Sequence, residues 1–148
     1  MFDDLVLFGL AVSAFTSATL LPGTSEPALA FLVITGEWHA VILVAVASAA
    51  NVAGSAVNWA LGRGANRFRD TRIWPVSAKH QAAAESWYAR YGWVSLLASW
   101  VPIVGDPLTL VAGVMREPLG RFLIVVGLAK TTRYAVVATI AQVLTYGF

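Results

Sequence analysis

The sequence LPGTSEP, residues 21–27, interrupts an otherwise apolar region and decides how the first part of the chain can fold. Residues 5–21 carry no charged side chain, and residues 28–34 are again apolar. Proline cannot donate a backbone hydrogen bond, and glycine readily adopts the left-handed conformation of a tight reversal. Two prolines that flank a glycine therefore predict two short helical arms joined by a turn.

The same pattern recurs in the second half of the chain. PGTSEP at residues 22–27 and PIVGDP at residues 102–107 both read P-x-x-x-[acid]-P, at an offset of 80 residues. Glu37 and Glu117 keep that offset. In each copy a short apolar arm leads into the break, a second arm leads out of it, and a long hydrophobic segment follows. A repeat of this kind predicts two related halves.

Each break is predicted to deliver one acid, Glu26 or Asp106, to the membrane interior. The residues expected to shape the turns are Pro22, Gly23 and Pro27 in the first break and Pro102, Gly105 and Pro107 in the second. In an alternative interpretation, each hairpin is a turn at the membrane surface and each acid is solvated. Two matched breaks favour the buried interpretation, because non-helical backbone at membrane depth is tolerated only where it is packed in protein or lines a cavity.

Composition predicts an integral membrane protein. Of the 148 residues, 58% are hydrophobic and 12% are charged, and the mean hydropathy is +0.71, whereas soluble domains are roughly a quarter charged. The length suits one membrane domain over residues 1–148. The chain begins Met-Phe-Asp-Asp, with acids where a signal peptide needs basic residues, so we expect the first hydrophobic segment to be retained.

Residues 40–62 form the clearest membrane span, because they carry no charged side chain and would reach about 34 Å as a helix. A basic interval follows, which predicts a cytoplasmic loop. Its cations are Arg63, Arg67, Arg69, Arg72, Lys79 and Arg90. Residues 78–91, with Ser77 as the N-cap and Gly92 as the terminator, are expected to form an amphipathic helix that lies flat on the membrane.

The second half repeats this arrangement with the opposite orientation. Residues 93–101 and 108–114 are each too short to cross a bilayer, whereas residues 122–148 are long enough. Because the basic loop is predicted to be cytoplasmic, the first span ends on the cytoplasmic side. The first hairpin is therefore expected to enter the membrane from outside, and the second from the cytoplasm. We predict an all-α membrane protein built as an inverted repeat of two re-entrant helical hairpins, each followed by a transmembrane helix. Its parts are residues 1–63, the loop and surface helix of residues 64–92, and residues 93–148.

Two cations interrupt the last hydrophobic segment, Lys130 and Arg133. A charge at the centre of a bilayer costs several kcal/mol on insertion scales. Long side chains reduce this free-energy cost when they extend their charged ends toward the membrane surface. If the two halves meet face to face, Glu26 and Asp106 lie in the same region and the four charges balance. Each acid is then either ion-paired or protonated, which depends on distances that a sequence does not contain.

A polar, small-residue stripe is predicted along the first span, at three- and four-residue spacing. Its members are Asn51, Gly54, Ser55, Asn58 and Gly62. Two interpretations remain open: the stripe walls a cavity in which Asn51 and Asn58 bind a substrate or ion, or it allows helices to pack closely.

Several classes of function are disfavoured. The chain has no cysteine, and His39 and His80 lack ligand-like spacing, so we expect no metal and no cofactor. Ser13, Ser17 and Ser25 have no nearby histidine, and G-x-S-x-G and Gly-rich phosphate loops are absent, so we expect no enzyme. A formal charge of +2, concentrated beside a membrane, suits anionic lipid better than nucleic acid.

Four stretches resemble the YqaA branch of the DedA, or SNARE-associated Golgi (VTT domain), membrane proteins. They are SATLLPGTSEPAL, NVAGSAVNWALGRG, RYGWVSLLASWVPIVGDPLTLVAGVMR and GLAKTTRYAVVA. The resemblance covers nearly the whole chain, and it implies two re-entrant hairpins that face each other and a role in moving lipids between leaflets. Bacterial DedA relatives are associated with undecaprenyl phosphate recycling and the proton motive force, and eukaryotic VTT relatives with phospholipid scrambling.

By this resemblance Glu26 matches the acid of the first hairpin, and Pro102 matches the turn of the second. The chain departs from better-studied DedA members, which have arginines around the second turn where this sequence has Ser99, Trp100, Gly105 and Asp106. Lys130 and Arg133 are the cations that remain to supply positive charge.

The sequence-based hypothesis is therefore a lipid transporter or flippase in the bacterial inner membrane, multi-pass and expected to be a homo-oligomer. Its substrate would be a phosphate-bearing lipid, either undecaprenyl phosphate or a phospholipid, with protons as candidate coupling ions. The alternative is a non-transporting membrane scaffold or assembly factor, whose buried charges pair only to hold helices together.

Overall fold

A computed structural model describes residues 2–19, 23–65 and 77–147, and the regular elements in those ranges are all helices. The α-helices are α1 (Phe2–Thr19), α2 (Ser25–Thr35), α3 (Ala40–Arg63), α4 (Ala78–Tyr91), α5 (Pro102–Val114) and α6 (Leu119–Tyr146), and a 3₁₀ helix, Gly92–Trp100, precedes α5. The predicted all-α class is confirmed. Pro22 and nearly all of the predicted basic loop lie outside the described residues.

Within the described part of the chain, α3 and α6 are the helices long and apolar enough to cross a membrane. They contain 24 and 28 residues with mean hydropathies of 2.0 and 1.5. At 1.5 Å per residue they reach about 36 and about 42 Å, which exceeds the roughly 30 Å of a bilayer's hydrocarbon core. The shorter apolar helices α2 and α5, of 11 and 13 residues, do not.

α1 packs alongside α3, and the two helices run in the same direction. The side-chain amide of Asn51 donates to the carbonyl of Ala14 at 2.7 Å, and that of Asn58 donates to the carbonyl of Ala18 at 2.8 Å. Gly54 lies between these contacts, where a Cβ would be 2.6 Å from a backbone oxygen of α1. The polar stripe therefore packs α1 against α3.

α2 lies against α6, again in the same direction. At the start of α2, the Ser25 hydroxyl is 2.7 Å from the Tyr134 hydroxyl. At its end, Gly36 adopts φ +70° and its N–H bonds the Val33 carbonyl at 3.2 Å. A Cβ on Gly36 would lie 2.6 Å from the hydroxyl of Tyr146. α2 thus begins beside the middle of α6 and ends beside its carboxyl end.

α5 crosses the end of α3 with the two backbones in contact. A Cβ on Gly62 would lie 2.9 Å from the amide nitrogen of Val114, and a Cβ on Gly113 would lie 2.9 Å from that of Arg63. Only glycine permits so close an approach, as at small-residue crossings in other membrane proteins.

The two breaks differ from the predicted turns in the roles of three residues. Pro27 lies in the first turn of α2 and Pro107 lies inside α5, so neither ends a helix. First-turn amides lack an intrahelical partner, so Pro27 removes no backbone hydrogen bond. Pro107, inside α5, removes one backbone donor from that helix. Gly105 also lies in α5, where a Cβ would be 2.6 Å from the Ser99 oxygen.

Of the other predicted turn residues, Gly23 and Pro102 are described by the structure and lie at the breaks themselves. Gly23 has φ +88°, the left-handed conformation that glycine adopts easily. The second break is a single extended residue, Val101, with φ −74° and ψ 123°. Pro102 follows it as the first residue of α5, a position that suits proline.

The core consists of two hydrophobic clusters that share α6. One joins α1, α2, α3 and α6 and includes Leu29, Leu43 and Tyr134. The other joins α4, the 3₁₀ helix, α5 and α6 and includes Leu96 and Phe122. The helices beside each break therefore pack on a different part of the same long helix, α6.

The surface helix has the bounds that the sequence predicts. α4 begins after Ser77, whose hydroxyl accepts from the amide of His80, and ends at Gly92. Trp87 and Tyr91 are exposed on it. Aromatic side chains of this kind favour the boundary between a membrane and water.

Candidate functional site

Lys130, near the midpoint of α6, is fully buried and bonds two other helices. Its Nζ lies 3.0 Å from Asp106 Oδ1 of α5 and donates to Asn51 Oδ1 of α3 at 2.6 Å. A buried ammonium requires such acceptors, because an isolated charge in a low-dielectric interior is strongly destabilising. The pairing explains how α6 keeps a lysine within a membrane-spanning length.

Arg133, almost one turn further along α6, joins both breaks. Its Nη2 lies 2.9 Å from Glu26 Oε1 of α2. Its Nη1 donates to the backbone carbonyl of Trp100, at the end of the 3₁₀ helix, at 3.2 Å. Arg133 Nε and the buried hydroxyl of Ser99 have no hydrogen-bond partner among the described residues.

Glu26, Asp106, Lys130 and Arg133 therefore form one group, which we call the central charge cluster. The exposed fractions of its side chains are 17% for Glu26, 21% for Asp106, 1% for Lys130 and 8% for Arg133. The structure brings together all four charges that the sequence singles out and arranges them as two ion pairs. A fully solvated position for either acid does not fit these values.

The sequence does not predict two further members of this region. The Tyr134 hydroxyl meets Ser25, whose own hydroxyl donates to Glu26 Oε2 at 3.3 Å. The Trp100 carbonyl is an acceptor for Arg133. Only the position of Tyr134 next to Arg133 could have drawn attention to it, and a backbone carbonyl leaves no sequence signal.

The two asparagines of the stripe have different surroundings. Asn51 contacts the central charge cluster through Lys130 and also binds α1. Asn58 lies away from the charges: it binds α1 and the Thr109 hydroxyl at 3.3 Å, and its Oδ1 has no partner among the described residues. Close helix packing accounts for Asn58, whereas Asn51 serves both packing and the charged group.

A cleft of about 340 Å³ lies between α3 and α6 on the side of Thr131, which follows Lys130. Its walls are mainly small and apolar, including Val44, Ala45, Ala135 and Ala138. No three His, Asp or Glu side chains come together as a metal site in residues 2–19, 23–65 and 77–147. The central charge cluster can therefore offer paired charges to a ligand, and the cleft is a separate apolar surface that the cluster does not line.

Glu117 forms a second buried polar centre, at the turn between α5 and α6. Its Oε2 accepts from the Tyr88 hydroxyl of α4, its Oε1 lies 3.3 Å from Arg121 Nη1, and its backbone carbonyl accepts from Trp59 Nε1 of α3 at 2.9 Å. Glu37, at the equivalent repeat position, is exposed. The sequence indicates Glu117 only as part of the repeat and does not predict its contacts with Tyr88, Arg121 and Trp59.

Replacing Tyr88 with phenylalanine should loosen α4 and weaken folding by about 2 kcal/mol, because the Glu117 carboxylate loses a buried donor. Burial, and then Glu117, raises the pKa of Tyr88. The folded protein thus keeps this proton at pH values where an unfolded tyrosine has lost it. The stabilisation is complete below about pH 10 and declines as the pH rises further.

Thermal unfolding at about pH 9 and about pH 11 measures this effect. Tyr91→Phe, on the exposed face of the same helix, is the matched control. An equal loss of stability in both variants, or a Tyr88→Phe variant that keeps the whole pH dependence, would contradict the contact's role.

A helical bundle with two membrane-length helices and charges paired in its interior is typical of an integral membrane protein. The chain belongs to the VTT domain family of membrane proteins, whose model matches residues 7–143. Its location in the inner membrane of bacteria, predicted from the sequence, is confirmed by its relatives.

Two relatives, the inner membrane protein YqaA of Escherichia coli strain K12 and that of Shigella flexneri, are each 43% identical over 138 residues. In both cases the match covers 93% of this chain and 92% of the relative. An uncharacterized protein of Haemophilus influenzae is 33% identical over 130 residues, which cover 83% of this chain and 79% of that protein. No solved structure matches the chain significantly.

Proposed function

We propose that this protein moves a phosphate-bearing lipid, undecaprenyl phosphate or a phospholipid, between leaflets at the central charge cluster. The observation that carries the proposal is the meeting of both breaks at α6, where Glu26 pairs with Arg133 and Asp106 with Lys130. Ionisable groups inside a membrane are expensive and are typical of substrate and ion pathways.

The directions of the helices support two re-entrant hairpins in an inverted repeat. α1 runs with α3 and α2 runs with α6, so the first hairpin enters and leaves on the side where α3 begins. α5 leads from the cluster to the side where α6 begins, which is the opposite side. Broken segments that meet from opposite sides are the arrangement of midplane transport sites.

Charge balance suggests how the lipid phosphate enters. Lys130 and Arg133 are already neutralised by carboxylates, so a phosphate must displace a carboxylate to pair with either cation. A displaced carboxylate in a buried site favours its protonated form. Proton uptake by Glu26 or Asp106 would therefore accompany phosphate binding, which makes one of these acids a proton-coupled gate. The apolar cleft between α3 and α6 could hold an acyl or isoprenoid chain.

Translocation of a fluorescent lipid phosphate in proteoliposomes, with and without a pH gradient, tests the proposal. Wild-type protein should transport faster with the gradient, and Glu26→Gln should reduce transport by about a hundredfold, the low end of what a positioned proton-transfer group contributes. Glu37→Gln, at the exposed acid that follows α2, should transport as wild type does. Equal rates for wild type and Glu26→Gln under both conditions would reject the gate.

A scaffold role is the second candidate, and one observation favours it: every charge of the central cluster has an opposite charge beside it. Paired buried charges can serve only to fix how helices pack. A folded and inserted Glu26→Gln variant that has lost transport would rule out this role. A set of variants that all fail to assemble would favour it.

A further inference from the structure

We propose a second lipid site, an arginine cluster of Arg63, Arg116 and Arg121 that binds the phosphate of an anionic phospholipid at the end of the bundle where α3 ends and α6 begins. The site lies apart from the central charge cluster, and its occupation does not depend on transport. Its ligand is a resident lipid of the leaflet on that side.

Arg116 has an unusual backbone conformation for an arginine. Arg116 follows α5 with φ +59°, a left-handed conformation that non-glycine residues rarely adopt. Its N–H bonds the Gly113 carbonyl at 3.0 Å, and the N–H of Glu117 bonds the Ala112 carbonyl at 2.9 Å. These two bonds form a Schellman motif, in which glycine is the usual residue at this position. An arginine here is strained, and its side chain remains exposed.

The helix crossing places the other two arginines at the same end. Gly113 of α5 contacts the backbone of Arg63, the last residue of α3. The Arg63 guanidinium lies over the Trp59 ring, 5.0 Å from its centroid, and that ring bonds the carbonyl of Glu117. Arg121, one turn after Glu117, lies 5.9 Å from the Trp93 ring centroid.

The charges of the arginine cluster are not balanced within the described part of the chain. Glu117 is the carboxylate that faces it, and one of the two Glu117 oxygens already accepts from Tyr88. Neither Arg63 nor Arg116 forms an ion pair with any of residues 2–19, 23–65 or 77–147. Two of its three guanidinium groups, those of Arg63 and Arg116, therefore have no carboxylate partner among the residues that the structure describes.

Depth and chemistry identify the ligand as a lipid head group. Arg63 ends a membrane-spanning helix, and the exposed Trp93 ring lies beside Arg121, as aromatic residues do at membrane boundaries. Guanidinium groups bind phosphate in a bidentate manner, and basic pockets between transmembrane helices on the cytoplasmic side bind anionic head groups. The predicted topology places this end on the cytoplasmic side.

Native mass spectrometry of the full chain in detergent micelles, titrated with phosphatidylglycerol or phosphatidylcholine, tests the site. Arg63→Gln and Arg116→Gly together should weaken phosphatidylglycerol binding, by about fivefold for each arginine, and leave phosphatidylcholine binding unchanged. The control pair Lys79→Gln and Arg90→Gln removes the same charge from α4 and should bind as wild type does.

Arg116→Gly alone separates binding from folding. Glycine suits φ +59°, so this variant should unfold at a higher temperature while it binds less phosphatidylglycerol. Three outcomes would overturn the site: equal losses in the control pair, which indicate diffuse surface charge; displacement of the lipid by inorganic phosphate, which indicates a soluble ligand; and unchanged binding in every arginine variant.

Discussion

Asp106→Asn should destabilise the folded protein by about 3–5 kcal/mol, because it removes the carboxylate that neutralises a fully buried lysine. Lys130 has no exposed surface, and its neutral partner Asn51 cannot compensate a full charge. The same substitution on a solvated ion pair would cost about 1 kcal/mol or less. Equilibrium unfolding in mixed micelles measures the difference from wild type.

The double variant Asp106→Asn with Lys130→Met provides the sharper comparison. Removing both charges leaves no buried ion, so most of the lost stability should return. Glu37→Gln, at an exposed acid, should leave stability unchanged. A single variant as stable as wild type, or a double variant no more stable than the single one, would show that Lys130 does not depend on Asp106.

The same double variant distinguishes the two candidate functions. A scaffold needs the helices packed but does not need charges, so a stable neutral variant would keep any scaffold role. A transporter of a phosphate-bearing lipid would lose transport, because one of the two cations that bind the phosphate, Lys130, is gone. Stability and transport measured on one protein sample therefore give different answers for the two hypotheses.

The membrane-spanning and surface helices could be predicted because charged and glycine residues border them. The first span was expected at residues 40–62 and is Ala40–Arg63, and α4 has its expected bounds. Both are local features: an uncharged run long enough to cross, or a capped helix with aromatic residues on one face. The composition of the central charge cluster followed from the two P-x-x-x-[acid]-P breaks and the two cations within α6.

The pairing within that cluster could not be predicted, because it depends on how α2 and α5 are rotated against α6. Glu26 meets Arg133 and Asp106 meets Lys130, and a sequence contains no distances between helices. The burial of Glu117 could not be predicted either. Glu117 repeats Glu37 in the sequence, yet Glu117 is buried and Glu37 is exposed. The docking of α4, which has no counterpart in the described part of the first half, makes this difference.

The predicted roles of Pro27 and Pro107 were wrong, for a physical reason. The sequence predicts that every proline of the two breaks shapes a turn, whereas Pro27 and Pro107 lie within α2 and α5. A proline removes one backbone donor but does not determine on which side of it the helix continues. The real breaks, around Gly23 and at Val101, lie just before these helices.

Gly113→Ala should destabilise the protein by about 3 kcal/mol or more, at the upper end for overpacked interiors. The added Cβ would lie 2.9 Å from the Arg63 amide nitrogen and closer still to the Trp59 carbonyl oxygen. Both obstacles are backbone atoms of α3, so no side chain can rotate away. α5 would have to move from α3, which would also disturb the contact of Asn58 with Thr109 and the position of Asp106.

Gly127→Ala in α6 is the matched control, because a Cβ there meets nothing within 4 Å. Alanine favours helix over glycine by up to about 1 kcal/mol, so this variant should be as stable as wild type or slightly more stable. Unfolding of both variants in the same micelles gives the comparison. If Gly113→Ala proved as stable as Gly127→Ala, the backbone contact between α3 and α5 could not be the constraint that holds the second break against α6.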